Sequence, residues 1–371
     1  MQHEISSVTL AEANDCVQVA MDCKRPIFLW GPPGIGKSDL AAQLADNAGG
    51  LLIDLRLAQM DPTDLKGMPY FDANTGRMRW APPCELPSAE LAAQYPVVVL
   101  FLDELNSAAP AVQASAYQLT LNRRIGEYCL PDNVVIIAAG NRDGDRGVTY
   151  RMPTPLANRF FHIEVAADFD TWHKWALHNK IHPDVVGFLN DAKSHLFEFS
   201  AQSACRAFAT PRTWTYVSDV LNSDKRSKTD RTLLTLISGA VGEGLAVKFM
   251  AHRKYTGQLP NAVEVLQGKV TDMKIKEVSA QYSLMTSLCY ELKDFFDKGK
   301  KAGKLDDKVW HEMVDCFFGF IMKNFTAEVC ILAVKNALQQ YGLVFQGSKM
   351  KTYPEFAKKY GNFITAAMAA K

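Results

Sequence analysis

Up to about Asp168, short apolar runs alternate with stretches of helical periodicity; beyond it, helical spacing dominates. Pro26–Trp30 is one such run and reads as a buried strand. Leu51–Leu57, Val97–Leu102, Val134–Ala139 and Phe161–Val165 are four more, each bounded by turn or charged residues. Most of the intervals between them are helical in pattern. Thr9-Leu10-Ala11-Glu12 is a capping-box sequence, and Leu10, Val17 and Met21 recur at helical spacing. Asp39–Ala48 and Ala108–Leu121 predict two further helices, the second with Ser107 as N-cap. Strands alternating with helices predict an α/β fold, a mainly parallel sheet covered on both faces.

Strand signals become scarce after Asp168. Trp172-His173-Lys174-Trp175-Ala176 opens a helical region that runs to about Met250. Gly257-Gln258-Leu259-Pro260 interrupts it, and Met313–Met322 and Ala327–Leu338 continue the helical pattern. The lysine-rich Lys298–Lys308 contains Gly299 and Gly303 and is expected to be an exposed loop. The expected organisation is an α/β core over 1–167, a helical domain over 168–250 and a helical C-terminal region over 251–371.

The first strand empties into Gly31-Pro32-Pro33-Gly34-Ile35-Gly36-Lys37-Ser38, a phosphate-binding loop in its required strand–loop–helix setting. The glycines let backbone N–H groups converge on phosphate, and the next helix presents its positive end. Lys37 supplies a charge for the β- and γ-phosphates, and Ser38 a hydroxyl for Mg²⁺. Gly31 through Asp39 is therefore the expected nucleotide-binding segment. Val97–Leu102 is apolar throughout and ends at Asp103 and Glu104. Ligands gather at such strand ends. Asp103 would help hold Mg²⁺, and Glu104 would polarise the water attacking the γ-phosphate. Val134–Gly140 ends at Asn141, whose amide can orient that water or sense the γ-phosphate. Arg159 stands just before an apolar strand, and its planar fork suits phosphate. Arg142, Arg146 and Arg151 are nearby competitors for the same role. Thr210-Pro211-Arg212 opens a predicted helix, so Arg212 can approach a nucleotide from the second domain.

Composition narrows the reading. A chain of 371 residues holds two or three domains. A formal net charge of +1 gives no global case for nucleic acid or anionic membrane. The eight cysteines are scattered singly without a CxxC pair, which favours buried free thiols over zinc or disulfides. The N-terminus lacks a signal-peptide pattern and no run reaches membrane-spanning length, so the expected location is cytoplasmic. Asn141-Arg142-Asp143 lacks the spacing of a guanine-recognition motif, so GTP specificity is not expected.

These motifs in this order resemble an AAA+ ATPase. Asp61–Tyr70, continuing through Asn74-Thr75-Gly76 to Trp80-Ala81-Pro82-Pro83, resembles the helix-2 insert of MoxR-type members; the insert spans about 61–87, with Asn74-Thr75-Gly76 at the hairpin tip. The resemblance covers about the first two-thirds of the chain. It implies a five-stranded sheet in the order 5-1-4-3-2, a helical lid and a homo-oligomeric, commonly hexameric ring. It implies that Arg159 acts on the neighbouring subunit's ATP and that Arg212 is a second sensor. It also implies a partner carrying a von Willebrand factor A domain and chaperone-like remodelling of a protein client. Two other functions remain open at this stage: a nucleic-acid motor, and a nucleotide-switched scaffold with little turnover.

Overall fold

A computed structural model describes residues 7–142, 150, 152–199, 206–225, 227–256, 259–301, 306–339, 341–345 and 349–369. Contacts divide the described chain into two compact units, one ending at Thr171 and the other beginning at Trp172.

The first unit opens with α1 (Leu10–Asp22), where the Thr9 and Glu12 side chains cap each other's backbone as the sequence predicts. It continues with β1 (Ile27–Trp30), α2 (Lys37–Asn47), β2 (Leu51–Arg56), α3 (Pro62–Lys66), β3 (Met68–Asp72), β4 (Arg77–Ala81) and α4 (Ala89–Ala92). Then come β5 (Val98–Asp103), α5 (Pro110–Asn122), β6 (Arg124–Ile125), β7 (Tyr128–Cys129), β8 (Val134–Gly140), α6 (Thr154–Ala157) and β9 (Phe161–Glu164). Five strands form one parallel sheet in the order β2-β5-β8-β1-β9. Numbered as core strands this is 2-3-4-1-5, the expected order read from the other edge.

The burial pattern explains this order. Val98 to Leu102 have no exposed surface, and β8 is buried along its whole length. Strands covered on both faces must be apolar at successive positions, and these two occupy the interior of the sheet. Leu100 and Leu102 pack on one face with Val112, Ala116 and Leu119 of α5, and Leu65 of α3 joins the same cluster. On the other face lie α1 and α2. Ser107 does not cap α5. Leu105–Ser107 closes a 3-10 turn instead, and the helix begins at Pro110, whose ring favours a first-turn position.

The insert is the antiparallel hairpin β3–β4, with Asp72 opposite Arg77 and Gly76 at φ 64° in the turn. Its middle is tied by Arg79, which donates from Nε and Nη2 to Glu127 at 3.1 and 2.8 Å. Trp80 is half-buried, while Met68, Phe71 and Met78 are each more than 60% exposed (65%, 64% and 62%).

The second unit is helical: α7 (Phe169–His178, entering from the first unit), α8 (Pro183–Asp191), α9 (Pro211–Asn222), α10 (Asp230–Val241), α11 (Glu243–Thr256), α12 (Ala262–Leu266), α13 (Val278–Lys301), α14 (Asp307–Asn324), α15 (Ala327–Gln339) and α16 (Tyr353–Ala369). Helix α13 is its spine. Leu284, Leu288 and Leu292 on it pack with Phe317, Phe318 and Ile321 of α14 and Val334 of α15. The α8 helix packs on the same spine, so residues on both sides of Met250 share one packing arrangement. The expected loop at Lys298–Lys308 is helical at its start. Lys298 pairs with Asp294 at 2.7 Å one turn back, and Lys300 lies over the Phe296 ring. Each of these pairs joins residues four apart, which favours the helix despite Gly299. Residues 302–305 lie outside the described part, and Asp306 then caps α14.

Among the described residues all cysteines are free. Cys289 and Cys330 are buried as expected, but Cys16, Cys23, Cys84 and Cys129 are exposed. Cys16, for example, falls off the Ala13–Val17–Ala20 stripe by which α1 is buried. No described helix is long and apolar enough to cross a membrane.

Candidate nucleotide-binding site

The parallel sheet brings the ends of β1, β5 and β8 to one edge, and the loop after β1 lies there. Gly36 sits at φ 105° as the residue that starts α2, a conformation that favours glycine. Lys37 then begins the helix. It is buried, and its Nζ donates to the carbonyls of Gly31 (2.7 Å) and Pro32 (2.9 Å). A buried ammonium needs such partners, and these hold it against the loop. Within the loop Pro32, Gly34 and Ile35 are buried and Pro33 is half-buried, and Asp39 is exposed in the first turn of α2, where a negative charge suits the helix dipole.

Ser38 Oγ donates to Asp103 Oδ2 at 3.3 Å, across 65 residues of sequence. The other oxygen, Asp103 Oδ1, accepts the Glu104 N–H at 2.9 Å. Glu104 adopts the left-handed conformation (φ 55°, ψ 31°), uncommon outside glycine. Backbone strain of this kind costs about 1–3 kcal/mol and tends to collect at functional sites. Here it turns the chain out of β5 immediately after Asp103. The Ser38 hydroxyl and Asp103 carboxylate are hard oxygen donors, which fits Mg²⁺. That ion commonly takes a few protein oxygens and completes its shell with water and nucleotide phosphate.

Asn141 follows the last residue of β8 and is half-buried. Its carbonyl accepts from Asn106 Nδ2 at 2.7 Å. Asn106 is 1% exposed and fits because residue 140 is glycine: a Cβ there would lie 2.2 Å from Asn106 Oδ1. Asn106 thus ties the turn after Glu104 to the end of β8. Periodicity did not single it out, since it reads as an ordinary turn residue.

Asp54 was missed as well. It lies on β2 two residues before Arg56, which is in register with Asp103. Partial burial, with the residue still exposed at one side, followed by the negative charge of Asp103, raises its pKa from 3.8, against the lowering effect of Arg56. Its sequence signal is a lone acid in the otherwise apolar strand start Leu51-Leu52-Ile53. A carboxyl with a raised folded-state pKa binds its proton more tightly folded than unfolded. Its contribution therefore turns against folding as pH rises above 3.8. Without nucleotide, Asp54→Asn is expected to melt at a higher temperature than the parent at pH 7, with the gap closing towards pH 3.5. A parent that melts higher at pH 7 would refute this.

Of the other expected residues, Arg159 does not join this group. Phe161 pairs with Ile27 and Glu164 with Trp30, so Arg159 precedes β9 at the sheet edge opposite the phosphate loop. At about 3.3 Å per residue, the five residue levels between Arg159 and the end of β1 span roughly 16 Å. Arg159 is exposed. Arg142 pairs with Glu164 at 3.0 Å. Arg146 and Arg151 lie outside the described residues. Arg212 lies in the second unit, exposed in the first turn of α9, which the Thr210 side chain caps.

Residues 27–166 match the family described as "ATPase family associated with various cellular activities (AAA)". This segment is an AAA ATPase domain. Its sheet order, phosphate loop and acidic strand end are those described above. A 175-residue stretch is 31% identical to Midasin of Giardia intestinalis, covering 45% of this chain and 4% of that protein. The chain therefore spans a small fraction of that relative's length. Among solved structures, a RuvB mutant of Thermotoga maritima aligns over 67% of this chain and 75% of its own, with 16% identity and a TM-score of 0.36. NtrX from Brucella abortus aligns over 85% and 69%, with 13% identity and a TM-score of 0.38. Likenesses this loose carry no argument about function.

Proposed function

We propose that the chain is an ATP-hydrolysing AAA motor of the MoxR type that remodels a protein client. The observation that carries this reading is the Ser38–Asp103 contact beside Lys37, with Glu104 as the next residue. In it, Lys37 and the loop amides hold the β- and γ-phosphates. Ser38 and Asp103 hold Mg²⁺, which neutralises charge on the phosphate oxygens when bound. Glu104 accepts the proton of the attacking water, and Asn141 orients that water, held in turn by Asn106. Arg159 completes the site of a neighbouring copy in a ring, and Arg212 senses the nucleotide from the helical unit. A site on one edge and its arginine on the other suit a subunit that completes its neighbour.

The hairpin β3–β4 supports the remodelling half of the reading. Phe71 and Met78 are directly opposite one another and both face solvent. Exposed apolar patches of this kind mark interaction sites. The occupants proposed for it are the client or a partner with a von Willebrand factor A domain. The near-neutral charge does not favour nucleic acid in that place.

Glu104→Gln tests the reading. Loss of the general base is expected to lower turnover by about 10²–10⁴-fold while ATP still binds. Phosphate release and binding of a fluorescent ATP analogue, measured on the same preparation, separate the two. Equal, near-zero turnover in parent and variant would leave a nucleotide-switched scaffold, not a motor.

A further inference from the structure

One histidine joins the two edges of the sheet. His162 lies on β9, and its ring makes two hydrogen bonds. The Trp30 indole Nε1 donates to His162 Nδ1 at 2.8 Å. His162 Nε2 lies 2.7 Å from the Ala157 carbonyl oxygen. An indole N–H can only donate, so Nδ1 must accept. A carbonyl can only accept, so Nε2 must carry the proton. Both bonds together require one neutral tautomer.

The two partners matter for where they sit. Trp30 is the last residue of β1, immediately before Gly31 of the phosphate loop. Ala157 is the last residue of α6, two before Arg159. Its neighbours fix the arginine's backbone on both sides. Leu156 is 1% exposed, and Phe160, 8% exposed, sets its ring edge-on to Phe28 at 5.6 Å. Phe28 in turn stacks on Trp30 at 4.2 Å. Arg159 itself remains exposed between these anchors.

We propose that His162 is a positioning residue that couples the strand feeding the phosphate loop to Arg159. The inference rests on the reading that Arg159 completes a neighbouring site. A shift of Trp30 when the loop takes up nucleotide is passed through the ring to the Ala157 carbonyl, and so to the backbone that aims Arg159. The occupancy of one subunit's site thereby sets the arginine it offers to the next. His162 touches neither substrate nor phosphate and acts only through Arg159.

A double-mutant cycle on the full chain tests this, with steady-state ATP turnover as one readout and binding of a fluorescent ATP analogue as the other. His162→Phe keeps an aromatic ring and removes both hydrogen bonds; it is expected to lower kcat roughly 10-fold, the scale of one net hydrogen bond. Analogue binding is expected to stay within about two-fold, because the loop itself is untouched. His162→Gln, whose amide can accept from Trp30 and donate to Ala157, is expected to recover most of the loss. In an Arg159→Ala background, His162→Phe is expected to cause no further loss. An equal, additive loss in that background would overturn the coupling and leave a packing role. So would parent-like turnover in His162→Phe, or a His162→Gln that is folded yet as slow as the phenylalanine variant. If Arg159→Ala alone turns over like the parent, the arginine reading beneath the inference fails, and the inference with it.

Discussion

Lys37→Ala is expected to leave the chain folded and to weaken ATP binding by about 10²–10⁴-fold. The range follows from losing two hydrogen bonds to charged phosphate at about 1.5–3 kcal/mol each. The ammonium is buried and rests on the Gly31 and Pro32 carbonyls. These contacts hold the charge where the phosphates arrive, so little side-chain ordering remains to be done on binding. Lys37→Arg is not expected to rescue. A planar fork does not replace a compact ammonium beneath a tight loop. Isothermal titration with ATP, alongside a circular-dichroism melt, measures both halves of the expectation. A folded Lys37→Ala chain that binds ATP as tightly as the parent would remove the loop from the nucleotide site.

The legibility of this fold in its sequence follows burial. The interior strands β5 and β8 are covered on both faces, so they appear as unbroken apolar runs with their ends marked by Asp103 and Asn141. Strand order is not a local property. It came from a resemblance carried by motif order, and the sheet has that order. Local reading failed where two signals competed. Gly299 argued for a loop, but the Lys298–Asp294 pair and the length of α13 carry the helix through it. Ser107 looked like a cap, but Pro110 two residues on from Ala108 takes the helix start.

At the site, the legible residues were those with motif spacing. Asp54 and Asn106 have none. Asp54 approaches Asp103 only because β2 pairs with β5, and Asn106 reaches Asn141 only because β8 lies on the other side of β5. The same holds for His162. Its partners lie 132 and 5 residues away, and only the pairing of β9 with β1 puts both within reach of one ring.

Arg159→Ala is expected to lower turnover by about 10³–10⁵-fold, the range for an arginine supplied to a phosphoryl-transfer site by a neighbour. The geometry argues against the simpler alternative that it serves its own chain's phosphate, since it lies at the far edge of the sheet from Lys37. Arg142 is a weaker competitor because Glu164 already pairs with it at 3.0 Å. Loss of rate alone does not distinguish action on a neighbour from action within the chain, but mixing does. Arg159→Ala chains keep Lys37 and Glu104 and lack the arginine. Glu104→Gln chains lack the base and keep the arginine. Each alone is expected to be nearly inactive. In an equal mixture, an interface that joins a good site to a good arginine forms with a probability of about one half times one half, so about a quarter of parent turnover should return. Action within one chain predicts no recovery at any ratio, because every chain then carries one defect. Absence of recovery, with both variants shown to enter the same assembly by sizing, would overturn the action of Arg159 on a neighbour.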